Sequence, residues 1–315
     1  MSCELRIGTR GSQLALYQAN WVKKEVMEAH PHLHVTLIKI KTTGDKIQDA
    51  PLAHIGGKGL FVKEIEEALI QKKIDLAVHS MKDVPTELPQ GLHLFAMTKR
   101  EDPRDVFISK DGKRLKALPP KAKIGTSSLR RQSQLLHFRR DLEFIPLRGN
   151  LETRLKKLKT MNLDGIVLAM AGVKRLGFEE RITEILPPQI SLPAIGQGAL
   201  GIETRLDDKE VEEQIQFLND NDTRIVVSAE RAFLKRLEGG CQVPIAAFAK
   251  TAGRSLRIDG LVGTIDGEKL VRDQLEGPVE EAESLGIRLA EVLLNKGARE
   301  ILDEIYQRSG PAIKI

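Results

Sequence analysis

The sequence predicts an α/β protein in which two similar α/β lobes are followed by a smaller α+β C-terminal domain. Three observations predict it. Strand-like and helix-like runs alternate through residues 5–98, as in a largely parallel sheet covered by helices. The alternation restarts at Lys123-Ile124-Gly125-Thr126, and from Asn221 the texture changes to helix, hairpin material and a long C-terminal helix. These runs mark a first lobe over residues 1–98, a second over 104–192, and a third domain over 221–315.

Leu5-Arg6-Ile7-Gly8-Thr9 reads as a short buried strand. Residues 13–27 place Leu14, Leu16, Val22 and Val26 at helical spacing, and residues 34–40 alternate as a strand. Residues 61–70 set Phe61, Ile65, Ala68 and Leu69 on one helical face, behind Gly56-Gly57-Lys58-Gly59. Residues 74–78 form a strand, and Pro85 and Pro89 terminate the segment after it. Residues 100–104, with Pro103, are the candidate crossover. In the second lobe 123–126, 142–147 and 164–170 are strand-like and 151–159 helical, before Pro187, Pro188 and Pro193 break the pattern. Residues 223–237 form a helix stopped by Gly239-Gly240. Residues 243–249 form a strand, 255–270 a hairpin with Asp259-Gly260 and Asp266-Gly267, and 280–306 a helix interrupted near Gly297.

A short internal echo links the lobes. Ile7-Gly8-Thr9-Arg10-Gly11-Ser12 and Ile124-Gly125-Thr126-Ser127-Ser128 each run from strand to helix with Ser or Thr at the entrance. Helix N-terminal amides attract anions, so two such entrances suggest an anion-receptive cleft.

Composition narrows the class. The 315 residues are 41% hydrophobic and 30% charged, which excludes collagen, long disorder and a disulfide scaffold. No apolar run approaches the ~20 residues of a membrane span, and the N-terminal residues lack a signal-like apolar core, so a cytoplasmic location is expected. Cys3 and Cys241 form no CxxC pair and are expected to be free thiols. Aromatics at 4% leave few stacking platforms for single-stranded nucleic acid. Because 49 Lys and Arg against 44 Asp and Glu leave only +5, where the positive charge sits matters more than its total.

The densest chemical signal is arginine. Arg130, Arg131, Arg139, Arg140, Arg148 and Arg154 fall within 25 positions of one another, and the guanidinium fork suits carboxylates and phosphates. Arg139 and Arg140 read as a solvated helix face. Arg130 and Arg131, in the first turns of a helix opened by Thr126, and Arg148, beside Gly149-Asn150 at a strand end, read as anion binders. Val78-His79-Ser80-Met81-Lys82-Asp83-Val84-Pro85 carries Ser80, Lys82 and Asp83 out of a buried strand. Asp83 is either a carboxylate that stabilises a cation or moves protons, or a turn former before proline. His79 reads as a core histidine. Gly56-Gly57-Lys58-Gly59 fails the P-loop spacing and remains an anion-contacting loop or a helix lead-in. Cys241, in Glu238-Gly239-Gly240-Cys241-Gln242-Val243-Pro244, is a reactive loop thiol or a small buried hydrophobe. His30, His32 and His34 advertise no further metal ligands and read as solvated.

Taken together, six stretches resemble the porphobilinogen deaminase (hydroxymethylbilane synthase) family over nearly the whole chain. They are Arg6-Ile7-Gly8-Thr9-Arg10, Gly56-Gly57-Lys58-Gly59-Leu60-Phe61, the segment from Ala77 to Pro85, Gly125-Thr126-Ser127-Ser128-Leu129-Arg130-Arg131, Leu147-Arg148-Gly149-Asn150, and the Cys241 loop. The resemblance implies two lobes like those of periplasmic anion-binding proteins, with residues 199–216 returning to the first lobe of 1–98, and a third domain that carries the cysteine. It also implies a dipyrromethane cofactor, thioether-linked to Cys241. Porphobilinogen would lose ammonia to an azafulvene, which the growing chain's terminal pyrrole attacks. Four rounds and a hydrolysis would release hydroxymethylbilane, in haem and porphyrin biosynthesis. By the same resemblance Asp83 is the catalytic carboxylate. Arg10, Arg130, Arg131, Arg148, Arg154 and Arg175 bind the pyrrole acetates and propionates, assisted by Ser12, Lys58, Ser80, Lys82, Thr126 and Ser128. No metal, nucleic-acid or membrane partner is implied, and a monomer is expected. Two rival classes are a binding protein without catalysis, which would not need Asp83 with Cys241, and a nucleic-acid binder, which would show steep salt dependence.

Overall fold

A computed structural model describes residues 4–46, 59–239 and 243–308. Cys3, Lys58 and Cys241 lie outside the described residues. The chain divides into two compact units: the described residues up to 46 with 59–101 and 198–224, and residues 102–197 with 225–308.

The first unit opens with β1 (Glu4–Thr9), α1 (Gln13–Ala29), β2 (His34–Lys39), a short α2 (Thr43–Lys46), α3 (Lys63–Ile70), β3 (Leu76–Ser80) and β4 (Leu92–Met97). The second continues with β5 (Asp105–Ser109), β6 (Lys123–Gly125), α4 (Leu129–Phe138), β7 (Glu143–Ile145), α5 (Leu151–Thr160), β8 (Gly165–Ala169), α6 (Met170–Arg175) and β9 (Glu184–Leu186). The chain then adds β10 (Leu200–Arg205) and α7 (Lys209–Ile215) to the first unit, and α8 (Asn221–Arg236) runs on into the second. A meander of β11 (Ile245–Ala252), β12 (Ser255–Gly263) and β13 (Leu270–Pro278) comes next, then α9 (Ala282–Leu293) and α10 (Arg299–Arg308).

Two sheets share one plan. Their orders are β2-β1-β3-β10-β4 and β7-β6-β8-β5-β9. In each, the first three strands are parallel and the fourth runs antiparallel to both neighbours. Ile7 and Gly8 oppose Leu76 and Ala77, while Ile124 and Gly125 oppose Gly165 and Ile166. The internal echo is therefore a repeat of position as well as of sequence. In each sheet the antiparallel fourth strand is the first one formed after the chain enters that unit from the other. The predicted α/β class with a smaller C-terminal α+β part holds.

Alternation explains the layers. Leu5, Ile7, Leu76, Val78 and Ile202 pack with Val22 and Val26 of α1, while Ala77 and Leu92 pack with Ile65 and Leu69 of α3. In the second unit Phe107, Ile124 and Val167 pack with Leu135 of α4; Val106, Ile108, Ile166 and Leu168 pack with Leu158 of α5. Each sheet is thus buried on both faces, as expected for mainly parallel strands.

Some expected boundaries move. Strand β3 starts two residues late, because Asp75 turns aside to accept the Arg6 backbone amide at 2.8 Å and its guanidinium at 2.8 and 2.9 Å. The helix expected to open at Thr126 opens at Ser128, whose hydroxyl accepts the Arg131 amide. Asp259-Gly260 is no turn. Both lie inside β12, opposite Gln274 and Asp273. A Cβ at Gly260 would stand 2.8 Å from the Phe233 ring and from Leu289, so this glycine lets α8 and α9 lie against the sheet. Asp266-Gly267 lies in the connection between β12 and β13, and Gly297 (φ 103°) interrupts the terminal helix as expected. No described helix is long and apolar enough to cross a membrane.

Candidate active site

In the first unit the expected site residues gather at the C-terminal ends of adjacent parallel strands, where open α/β sheets bind ligands. Arg10 and Ser12 follow β1, Ser80 ends β3, and Lys82 and Asp83 follow it. Ser12 caps α1, accepting the Ala15 amide at 3.3 Å, and no acid occupies the first turn. Met81–Asp83 form a single 3₁₀ turn whose anchor is Met81, buried and bonded through its amide to the Ala199 carbonyl at 3.1 Å. That turn holds Asp83 half-exposed, with no hydrogen bond or ion pair to any described residue. Arg10 is engaged. Its Nε lies 3.2 and 3.3 Å from the two Asp45 carboxylate oxygens and its Nη2 is 2.5 Å from Oδ1. Burial works to raise the Asp45 carboxyl, but the bonds from Arg10 and Thr42 outweigh it and hold the group below the usual range.

The second unit repeats this arrangement. Thr126 and Ser128 follow β6, Arg148 and Arg154 follow β7, and Arg175 ends α6 after β8. Thr126 Oγ1 accepts the Ser128 amide at 3.2 Å. Asn150 caps α5 through the Thr153 amide at 2.9 Å, and Arg154 Nε donates to the Gly149 carbonyl at 2.8 Å. The first turn of α4 holds no acid, so its amide dipoles are not neutralised locally.

Arg130 and Arg131 are placed differently from the sequence expectation. Both are buried, and both guanidiniums converge on Asp105, at 2.9 and 2.8 Å. Their remaining forks reach the Leu192 and Val167 carbonyls. Asp105 is fully buried and also accepts Ser191 Oγ at 2.8 Å and Gln197 Nε2 at 3.0 Å. Burial would raise its carboxyl; the two arginine charges override that and hold it far below the ordinary carboxylate range. In this structure the pair tie the start of β5 to α4 and β8 instead of presenting charge to solvent. The signal available in the sequence was Asp105 itself, an acid heading the apolar run Val106-Phe107-Ile108.

One other expectation changes. Arg139 is not solvated: it donates to the Leu115 and Leu118 carbonyls at 3.1 and 3.0 Å and pairs with Asp141, whereas Arg140 is exposed. His79 is a core residue as expected, yet its Nε2 lies 2.9 Å from Oε2 of the fully buried Glu203. Nearby Glu66 on α3 is pushed up to about 7, by burial first and then by the Glu203 charge. His30 meets His32 and Phe217 edge-on, and no cluster that could hold a metal occurs among the described residues.

Comparison with known proteins decides the family. A model of the porphobilinogen deaminase dipyromethane cofactor binding domain matches residues 5–213, and one of the porphobilinogen deaminase C-terminal domain matches 225–295. The chain belongs to the porphobilinogen deaminase family. A porphobilinogen deaminase of Pelobacter propionicus is 59% identical over 97% of this chain and 98% of its own length. Those of Geotalea uraniireducens and Geobacter sulfurreducens are each 60% identical over 96% of this chain and 95% of theirs. The substrate binding domain of a putative molybdenum ABC transporter from Clostridium difficile is 10% identical with a TM-score of 0.43, covering 70% of this chain and 93% of that one. The six-motif resemblance is thus borne out, and the chain is a deaminase of tetrapyrrole synthesis, a transferase with a dipyrromethane-binding domain.

The donors of each unit fit such a group. Dipyrromethane carries several carboxylates; the first unit offers the serine-capped N-terminus of α1, and the second that of α4, Arg148 after β7, Arg154 in α5 and Arg175 at the end of α6.

Proposed function

We propose that this deaminase condenses four porphobilinogen molecules onto a dipyrromethane primer held by a thioether to Cys241, and releases hydroxymethylbilane by hydrolysis. Dipyrromethane, when bound, supplies the free pyrrole α-carbon onto which the first substrate unit is joined. Arg10, Ser12, Lys58, Ser80, Lys82, Thr126, Ser128, Arg148, Arg154 and Arg175 bind pyrrole acetates and propionates. Arg130 and Arg131 contribute by holding the first turn of α4 in place while they rest on Asp105. Asp83 holds pyrrole N–H groups and stabilises the positive charge that develops on the substrate as ammonia leaves. The observation that carries this reading is the state of Asp83. It is a half-exposed carboxylate on a rigid turn, and no described residue competes for it. A preorganised charge of that kind stabilises a developing cation without reorganisation.

The three sheets support the division into lobes 1–98 with 199–216 and 104–192, and a third domain 221–315. Resemblance to the family supports a cytoplasmic monomer without a membrane partner, and a net charge of only +5 with few aromatics supports the absence of a nucleic-acid partner.

Denaturing intact-mass measurement with peptide mapping tests the proposal. The wild-type chain incubated with porphobilinogen should carry two pyrrole units on the Cys241 peptide. Asp83→Ala should keep that adduct and lose turnover by roughly 10²–10³-fold. An adduct on Cys3 overturns the attachment site, and near-normal turnover in the variant overturns the role of Asp83.

A further inference from the structure

Arg10 is held on two sides, by Phe61, which closes one of the six stretches, and by Asp45, which lies in none of them. Its guanidinium carbon stands 4.2 Å above the centre of the Phe61 ring, and its Nε/Nη2 edge is filled by Asp45. Asp45 is fixed in turn: Thr42, itself fully buried, donates its hydroxyl to Oδ2 at 2.8 Å. The next two residues lock this segment onto the start of α3. Both the amide and the hydroxyl of Thr43 reach Glu64, at 2.7 and 2.5 Å, and the Gly44 amide donates to the Leu60 carbonyl at 2.9 Å. Gly44 lies so close to Phe61 that a Cβ there would be 2.3 Å from the ring. Asp45 and Phe61 therefore form one rigid holder.

A guanidinium has two bidentate edges. With the Nε/Nη2 edge on Asp45, what remains is Nη1 and the outer N–H of Nη2, and Nη1 has no hydrogen bond to a described residue. We propose that Asp45 and Phe61 are positioning residues for substrate, clamping Arg10 so that its Nη1/Nη2 edge receives a pyrrole carboxylate. The inference rests on the reading of Arg10 as a substrate-binding residue. The clamp also explains how a site rich in cations can select. Arg10 and Asp45 together carry no net charge, so this position recognises a carboxylate by the geometry of the free edge more than by bulk attraction, and an anion without a planar fork gains little.

Steady-state kinetics with porphobilinogen on the loaded holoenzyme test this, with sulfate as a competing anion. Asp45→Ala and Phe61→Leu should each raise KM about tenfold, the scale of one charge-assisted hydrogen bond, and more than they lower kcat. Asp45→Glu should recover part of the KM loss. Sulfate should inhibit Asp45→Ala more strongly than wild type, because the released Arg10 is then a net cation. If Arg10→Gln raises KM while Asp45→Ala and Phe61→Leu do not, the clamp is overturned and the reading of Arg10 stands. If Arg10→Gln also leaves KM unchanged, the reading of Arg10 fails. A lower KM in Asp45→Ala would show that Asp45 competes with substrate instead of presenting Arg10, and would also overturn the clamp. Phe61→Leu keeps every charge in place, so it separates loss of the clamp from loss of an acid.

Discussion

The two five-stranded sheets share a plan, and each places a fully buried acid on its antiparallel strand: Glu203 on β10 and Asp105 on β5. The surroundings of these acids differ. Asp105 is met by two arginines, a hydroxyl and an amide, and both its oxygens are used. Glu203 is met by His79 through one oxygen, its other oxygen is buried without a partner, and a second acid, Glu66, lies near enough to feel its charge. The difference teaches how the two units respond to a lost partner. Arginine cannot shed its charge in a protein, whereas a carboxyl or an imidazole can exchange a proton. The buried acid of the second unit rests on two arginines, and that of the first on a histidine.

The largest expected effect comes from the fixed charges. Asp105→Asn preserves shape but leaves Arg130 and Arg131 buried side by side with no counter-charge. Removing one partner from a buried ionic cluster costs about 3–5 kcal/mol, so denaturant unfolding should show a loss of that size, nearly constant from pH 5 to pH 8. A loss below about 1 kcal/mol would mean the arginines find water or another acid, and the contrast between the units would collapse.

His79→Leu should cost less. One buried oxygen of Glu203 then loses its hydrogen-bond partner, which costs about 1–3 kcal/mol. Denaturant unfolding of the two variants checks the order: a loss as large as that of Asp105→Asn would remove the contrast between the two acids.

These clusters were the least legible part of the sequence. The strands around Ile7-Gly8 and Ile124-Gly125, and the placement of Arg10, Asp83, Thr126 and Arg148 at strand ends, could be read because each depends on local order: an apolar run, then a polar turn. Strand β10 lies in the segment 199–216 that the resemblance assigns to the first lobe, but its pairing could not be read, since its partners His79 and Leu94 lie more than 100 positions earlier. The arginine-rich stretch was counted correctly, but a count does not say where a guanidinium points. Arg130 and Arg131 meet an acid 25 and 26 positions back, and His79 meets one 124 positions on. Burial and pairing are products of the fold, so the residues that change meaning are those whose partners are far away in sequence. Arg10 shows the middle case: its place was legible, and its clamp on Asp45 was not.

The finest test of the comparison is Glu66. Its carboxyl sits at about 7 in the folded chain against an ordinary 4.5, so the folded state holds the proton more tightly than the unfolded state does. That contribution to stability is fully present below about pH 4.5 and is lost as pH rises through 7. Above pH 7 an ionised Glu66 shares the interior with Glu203, at a cost on the order of 2–3 kcal/mol. Glu66→Gln imitates the protonated form. It should leave stability at pH 5 within about 0.5 kcal/mol of wild type and raise it at pH 8, flattening the profile. If instead the slope between pH 5 and pH 8 survives in Glu66→Gln, Glu66 is not the group whose proton is coupled to folding in the first unit.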